Sequence, residues 1–211
     1  MSTSFFKRIF RQPLALILTL VVILIATLLG PTEKTLGATL SLVLLHGAWV
    51  WTGKVCFGLA VLAGLAALIW RTRAHWLHLT RALAYSGLFF WLTYLPMSLL
   101  VMQLSWGGFF FDEPRWRIPF LFGVVAVLLQ AGLWLFNYPI LTALGNIVFG
   151  IALWWQLGGL QNVLHPEAPI ATSDSTNIQG YFILLLVLSL LFAVQLILWL
   201  FKRLRKTTPH K

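Results

Sequence analysis

The sequence predicts an all-α, polytopic membrane protein of six transmembrane helices, one integral membrane domain over residues 1–211, with both termini cytoplasmic. Three observations lead there. The first is composition: 60% of the 211 residues are apolar and 9% charged, with a mean hydropathy of +0.89. A soluble domain is about a quarter charged, so a soluble globular enzyme is excluded. The second is that the apolar residues gather into six runs, most of them near the ~20 residues that a helix needs to cross a bilayer. The third is that acids and bases are sorted between alternate connections.

The first run, about 13–29, follows a basic flank of Lys7, Arg8 and Arg11. It ends in Leu28-Leu29-Gly30-Pro31 instead of a small-residue cleavage site, which reads as an uncleaved helix and not a signal peptide. The second, about 40–70, is too long for a vertical span of about 30 Å and is expected to tilt or to begin in the headgroup layer. The third covers about 82–106 and the fourth about 118–136. A short turn around Phe136-Asn137-Tyr138-Pro139 leads to the fifth, about 140–157, with Pro139 supplying the fixed φ of a first helical turn. The sixth covers about 181–201. These runs and their short connections leave no room for a separate extramembrane catalytic domain.

With six spans, the N-terminus, the connection holding Arg71, Arg73 and Arg81, and the tail of Lys202, Arg203, Arg205, Lys206 and Lys211 share one side. That side carries eleven of the fifteen bases. All five acids, Glu33, Asp112, Glu113, Glu167 and Asp174, fall on the other. The positive-inside rule makes the basic side cytoplasmic. The net charge of +10 is accounted for by anchoring beside anionic lipid, and no nucleic-acid partner is expected. The single cysteine, Cys56, forms no internal disulfide and no multi-cysteine metal site.

Chemistry is therefore expected on the outer face, in connections of about 30–39, 107–117 and 158–180. Two histidines belong to that layer: His46, one to two turns into the second helix, and His165, after the fifth. Two imidazoles on opposite faces of one iron make a six-coordinate b-type haem. Gly47 and Gly53 would leave room for a flat macrocycle, and Gly158-Gly159 would let the chain bend. The plainer alternative is that each histidine packs and hydrogen-bonds. His75, His78 and His210 lie on the basic side, where solvation or lipid contact is the default.

The second outer connection runs Ser105-Trp106-Gly107-Gly108-Phe109-Phe110-Phe111-Asp112-Glu113-Pro114-Arg115-Trp116-Arg117. Its aromatics suit an interfacial belt. As a glycine-hinged run ending in an acid and two arginines, it also suits a flat apolar shelf with Arg115 or Arg117 pairing carboxylates such as haem propionates. Lys54 lies two turns deeper than His46 and must snorkel, pair or line a polar cavity. No phosphate loop, no H-E-x-x-H zinc motif and no acid within a span is present, and no residue is assigned a catalytic role.

The order of these features resembles the haem-handling proteins of cytochrome c biogenesis, the CcmC/CcsA-type haem lyases. Pro31-Thr32-Glu33 is similar to a P-T-[DE] stretch before the second helix of that family. His46 in His46-Gly47-Ala48-Trp49 falls where its first ligand belongs. Trp106, Gly107 and Asp112 match its tryptophan-rich W-G-x-W-W-x-W-D loop, and Trp154-Trp155 before Leu164-His165-Pro166 is similar to its second ligand region. The later tryptophans of that loop are phenylalanines here, and Ser41 stands where the family has a basic residue.

The resemblance implies haem b ligated by His46 and His165 as the metal ligands. Around it would stand Trp49, Trp106, Gly107, Phe109, Phe110, Asp112, Arg115, Arg117 and Trp155. It also implies a bacterial-type cytoplasmic (inner) membrane with the site facing outward, and a periplasmic haem chaperone or a larger membrane complex as partner. The alternatives are a haem-retaining b-type cytochrome or accessory electron-transfer subunit, and a cofactor-free scaffold or transporter.

Overall fold

The computed structural model describes residues 13–159, 170 and 173–207. They form six α-helices: α1 Pro13–Leu28, α2 Thr39–Ile69, α3 Ala74–Trp106, α4 Pro114–Phe136, α5 Pro139–Gly158 and α6 Thr176–Thr207. Helices α2 to α6 are long and apolar enough to cross a membrane, whereas α1 is described over 16 residues, about 24 Å at 1.5 Å per residue.

The helix centres fall where the apolar runs predict them, and several ends do not. The basic segment expected as a loop before residue 82 is helical from Ala74. A helix continues through polar residues when one of its faces is packed, and here it is. Thr80 donates to the Ala60 carbonyl at 2.8 Å, and Leu79, Leu83 and Ala84 pack with Ala60 and Ala63. At the other end of α3, the connection expected to reach residue 117 stops at Glu113. Pro114 opens α4, and the Glu113 carbonyl accepts the N–H groups of Trp116 and Arg117, both at 2.9 Å. Arg115 and Arg117 are therefore first-turn helical residues. Asn137 closes α4 in the left-handed region (φ 51°), and Pro139 opens α5 as expected. Helix α6 extends beyond the expected 181–201 at both ends.

Helices α2, α3 and α6 meet at the centre of the bundle, around Leu44, Phe57, Phe90, Trp91, Leu185 and Phe192. Helix α1 docks on α6 through a buried reciprocal pair: Thr19 donates to Gln195 Oε1 at 3.1 Å, and Gln195 Nε2 donates back at 2.9 Å. Tyr181 also donates to the Ala26 carbonyl. A second buried polar chain links α4, α5, α3 and α2 in turn: Gln130 donates to Asn146 at 2.9 Å, Asn146 to Thr80 at 3.1 Å, and Thr80 to the Ala60 carbonyl. In an apolar surround, such bonds between helices contribute about 0.6–2 kcal/mol each.

These contacts define two ends. The 70–73 and 137–138 turns lie at the same end of the bundle, since Arg81 on α3 donates to Asn137 at 2.9 Å and to Thr142 at 3.2 Å. Ile197 of α6 packs toward the same end. The opposite end gathers the connections 29–38 and 107–113 and the start of α6. Among the described residues, all four acids, Glu33, Asp112, Glu113 and Asp174, are at this second end. Arg71, Arg73, Arg81, Lys202, Arg203, Arg205 and Lys206 are at the first.

Candidate functional site

His46 stands two turns into α2 at the acidic end and is half-buried. Its ring centroid lies 5.0 Å from that of Tyr94 on α3, inclined at 45°. Tyr94 is itself buried and donates to the Arg115 carbonyl at 3.3 Å. Local sequence explains this bond. The Arg115 carbonyl would normally accept from the residue four positions on, but that residue is Pro119, which has no N–H. The Tyr94 hydroxyl supplies the missing donor. One side chain thus touches both His46 and the first turn of α4.

Between α3 and α4 the predicted aromatic segment forms two groups of contacting rings. Gly107 takes a left-handed conformation (φ 71°) that ends α3 and turns the chain, a position suited to glycine. Phe110 meets Trp106 edge-on at 5.8 Å, and its N–H donates to the Met102 sulfur at 2.8 Å. Phe109 stacks on Phe111 at 6.0 Å, Phe111 meets Trp116 at 5.1 Å, and Trp116 stacks on Phe120 at 5.1 Å. Phe109, Phe110 and Phe111 are exposed, as are Asp112 and Arg117, while Arg115 is half-buried. Glu113, beside Asp112, is buried.

Two buried donors here were not singled out from sequence. The Trp116 indole N–H and the Ser105 hydroxyl have no hydrogen-bond partner among the described residues. Buried polar atoms are seldom left in that state, so each donor calls for a partner beyond those described, a role open to a ligand. The only sequence signal was their membership of the aromatic segment, where a membrane belt accounts for them equally well.

Other expectations are placed differently. Trp49 is a core residue, donating to Thr93 at 2.8 Å and packed on Phe90 at 4.6 Å. Trp155 is 83% exposed on α5, on the outer surface of the bundle. The room expected beside Gly47 and Gly53 is filled. A Cβ on Gly47 would lie 3.3 Å from Phe182, and one on Gly53 would lie 3.3 Å from both Phe90 and Trp91. These glycines admit neighbouring helices, which removes them as the seat of a macrocycle. His165 and Glu167 lie outside the described residues.

The Pro31-Thr32-Glu33 stretch forms a tight turn. Glu33 accepts N–H bonds from Thr35 at 2.9 Å and Leu36 at 3.1 Å, and Gly37 donates to the Glu33 carbonyl at 2.7 Å. Donation from the Thr35 and Leu36 backbone holds the Glu33 carboxyl below its ordinary value. Between this turn and the start of α6 lies an open cavity of about 530 Å³, lined by Pro31, Thr32, Glu33, Lys34, Ser175, Asn177 and Ile178.

Among the described residues, the acidic end offers one imidazole, flat apolar rings, two buried donors without a hydrogen-bond partner and two arginines. That inventory suits a flat ligand carrying negative charge at its edge. Among the described residues, no three of His, Cys, Asp and Glu converge as a metal-binding group. The residues present would offer such a ligand one ring nitrogen from His46 and carboxylate pairing by Arg115 or Arg117. The likeness to haem-handling proteins rests on the residues quoted for it. Comparison with family models, curated proteins and solved structures finds no match to this chain.

Proposed function

We propose that this chain is a haem b-binding integral membrane protein, with His46 and His165 as axial ligands near its outer face. The observation that carries the reading is the Tyr94 contact. Tyr94 joins His46 to the first turn of α4, so two features 60 to 70 residues apart in sequence share one location. His46 would supply one ring nitrogen to iron, and haem, when bound, would contribute the redox and ligand-binding centre. The Trp106–Asp112 segment would flank the haem on the outer side, and Arg115 or Arg117 would pair its propionates. The Trp116 indole N–H gives a further donor toward a carboxylate edge.

Haem delivery to a periplasmic chaperone and haem retention in a larger electron-transfer complex would use the same ligands. Phenylalanines in place of the indoles of the family loop leave fewer donors, which favours retention. A cofactor-free scaffold is the competing reading, favoured by the close packing against Gly47 and Gly53. The test is the reduced spectrum of His46→Ala and His165→Ala beside the unmodified chain. Loss or shift of a low-spin band in both supports bis-histidine ligation, and unchanged spectra in both overturn it. Covalent haem staining of c-type cytochromes in a deletion strain then separates delivery, which abolishes it, from retention, which leaves it intact.

A further inference from the structure

Lys54 has a setting that the haem reading does not use. Eight residues beyond His46, it is turned about 80° around the helix at 100° per residue, away from Tyr94 and toward α5. Its ammonium lies 4.4 Å from the Trp51 ring centroid and 4.5 Å from that of Trp154. The two indoles meet edge-on at 6.1 Å. The Trp154 N–H donates to the Lys54 carbonyl at 3.0 Å, an approach that Gly58 permits, since a Cβ there would lie 3.1 Å from that nitrogen. Among the described residues, Lys54 has no carboxylate partner.

Directly beyond this cation is an open apolar groove of about 380 Å³ between α2 and α5, lined by Gly58, Val61, Gly150, Ile151, Trp154 and Trp155. Trp51, Trp154 and Trp155 are all exposed on the outer surface of the bundle. An ammonium held on that surface by two rings, with an open apolar groove beside it, has the two-part chemistry of a phospholipid. Aromatic faces hold a cation without neutralising it, so its charge stays available to a counter-ion, and the surrounding solvent here is lipid.

We propose that Lys54, Trp51 and Trp154, with the Gly58–Gly150 groove, form a binding site for one anionic phospholipid. Its phosphate pairs with the ammonium and one acyl chain lies in the groove. The test is native mass spectrometry of the full chain released from nanodiscs of equal phosphatidylglycerol and phosphatidylcholine. The unmodified protein is expected to retain one tightly held phosphatidylglycerol more than Lys54→Gln, with roughly tenfold weaker retention in the variant, and Lys54→Arg is expected to keep it. Lys54→Gln removes a charge from an apolar span and so inserts more readily. Trp155→Leu, at an 83% exposed position, provides a second variant and should weaken retention by opening the groove wall. Equal retention in Lys54→Gln and the unmodified chain overturns the site. So does equal retention of both lipids, or occupation of the groove by detergent or a second copy of the chain. None of these results bears on the spectra that test haem binding.

Discussion

Tyr94 carries more of the described site than any other single residue. Its ring packs on His46, and its hydroxyl takes the carbonyl that Pro119 leaves without a helical donor. Tyr94→Phe keeps the ring and removes that bond, so a loss of about 1 kcal/mol in unfolding free energy is expected. Phenylalanine matching the parent within error would contradict the assigned bond. Glu33 makes a second prediction at this scale. Its carboxylate organises the 33–37 turn, and its depressed pKa sets the sign of the pH response. A carboxyl lowered below the ordinary glutamate value of about 4.3 contributes order that is present above that value and lost as pH falls through the folded one. Carboxyl NMR should therefore show Glu33 titrating below the ordinary range. Backbone exchange at Thr35 and Leu36, corrected for intrinsic rate, should rise at low pH and in Glu33→Gln at neutral pH. Titration at the ordinary value would contradict the hydrogen-bonded turn.

At the level of elements, the clearest claim concerns the first two turns of α3. Their exposure falls as the helix enters the bundle: Ala74 and His75 are exposed, whereas His78, Thr80 and Ala82 are buried. Single cysteines at these positions, in a Cys56→Ser background, should label fast at 74 and 75 and slowly at 78, 80 and 82. Uniformly fast labelling would make the segment a loop. The same stretch shows what could be read in advance. Hydropathy marks the part of a helix that faces lipid or core, so the middles of all six helices were legible. It does not mark turns where a polar residue bonds across to another helix, as Thr80 does to Ala60. Nor does it report pairings such as Gln130 with Asn146, which depend on helix rotation. Proline marks some ends and not others: Pro114 and Pro139 stand at helix starts, whereas Pro96 and Pro119 stand inside α3 and α4.

Across the whole molecule, the separation of charge follows from the order of the helices, and it yields a prediction of orientation. If basic residues anchor at the cytoplasmic leaflet, a cysteine at the exposed Thr72 should be shielded from a membrane-impermeant thiol reagent in sealed cells. One at the exposed Phe109 should react. The reverse pattern would invert the protein and place His46 on the cytoplasmic side. The site was legible only in part at this scale. His46 and the aromatic segment announced themselves by residue type, but Tyr94, Trp116 and Ser105 did not, because their roles come from contacts across helices and not from spacing. Gly47 and Gly53 were read as room for a ligand, although a glycine on a helix equally admits another helix, and Phe182, Phe90 and Trp91 occupy those faces. Haem binding is the central claim, and the absorption spectrum of the detergent-purified full chain, oxidised and dithionite-reduced, with a pyridine haemochrome assay, tests it most directly. The account predicts a sharp reduced α-band and about one haem b per chain, in keeping with bis-histidine ligation. A folded protein that stays colourless after haem is supplied would contradict it.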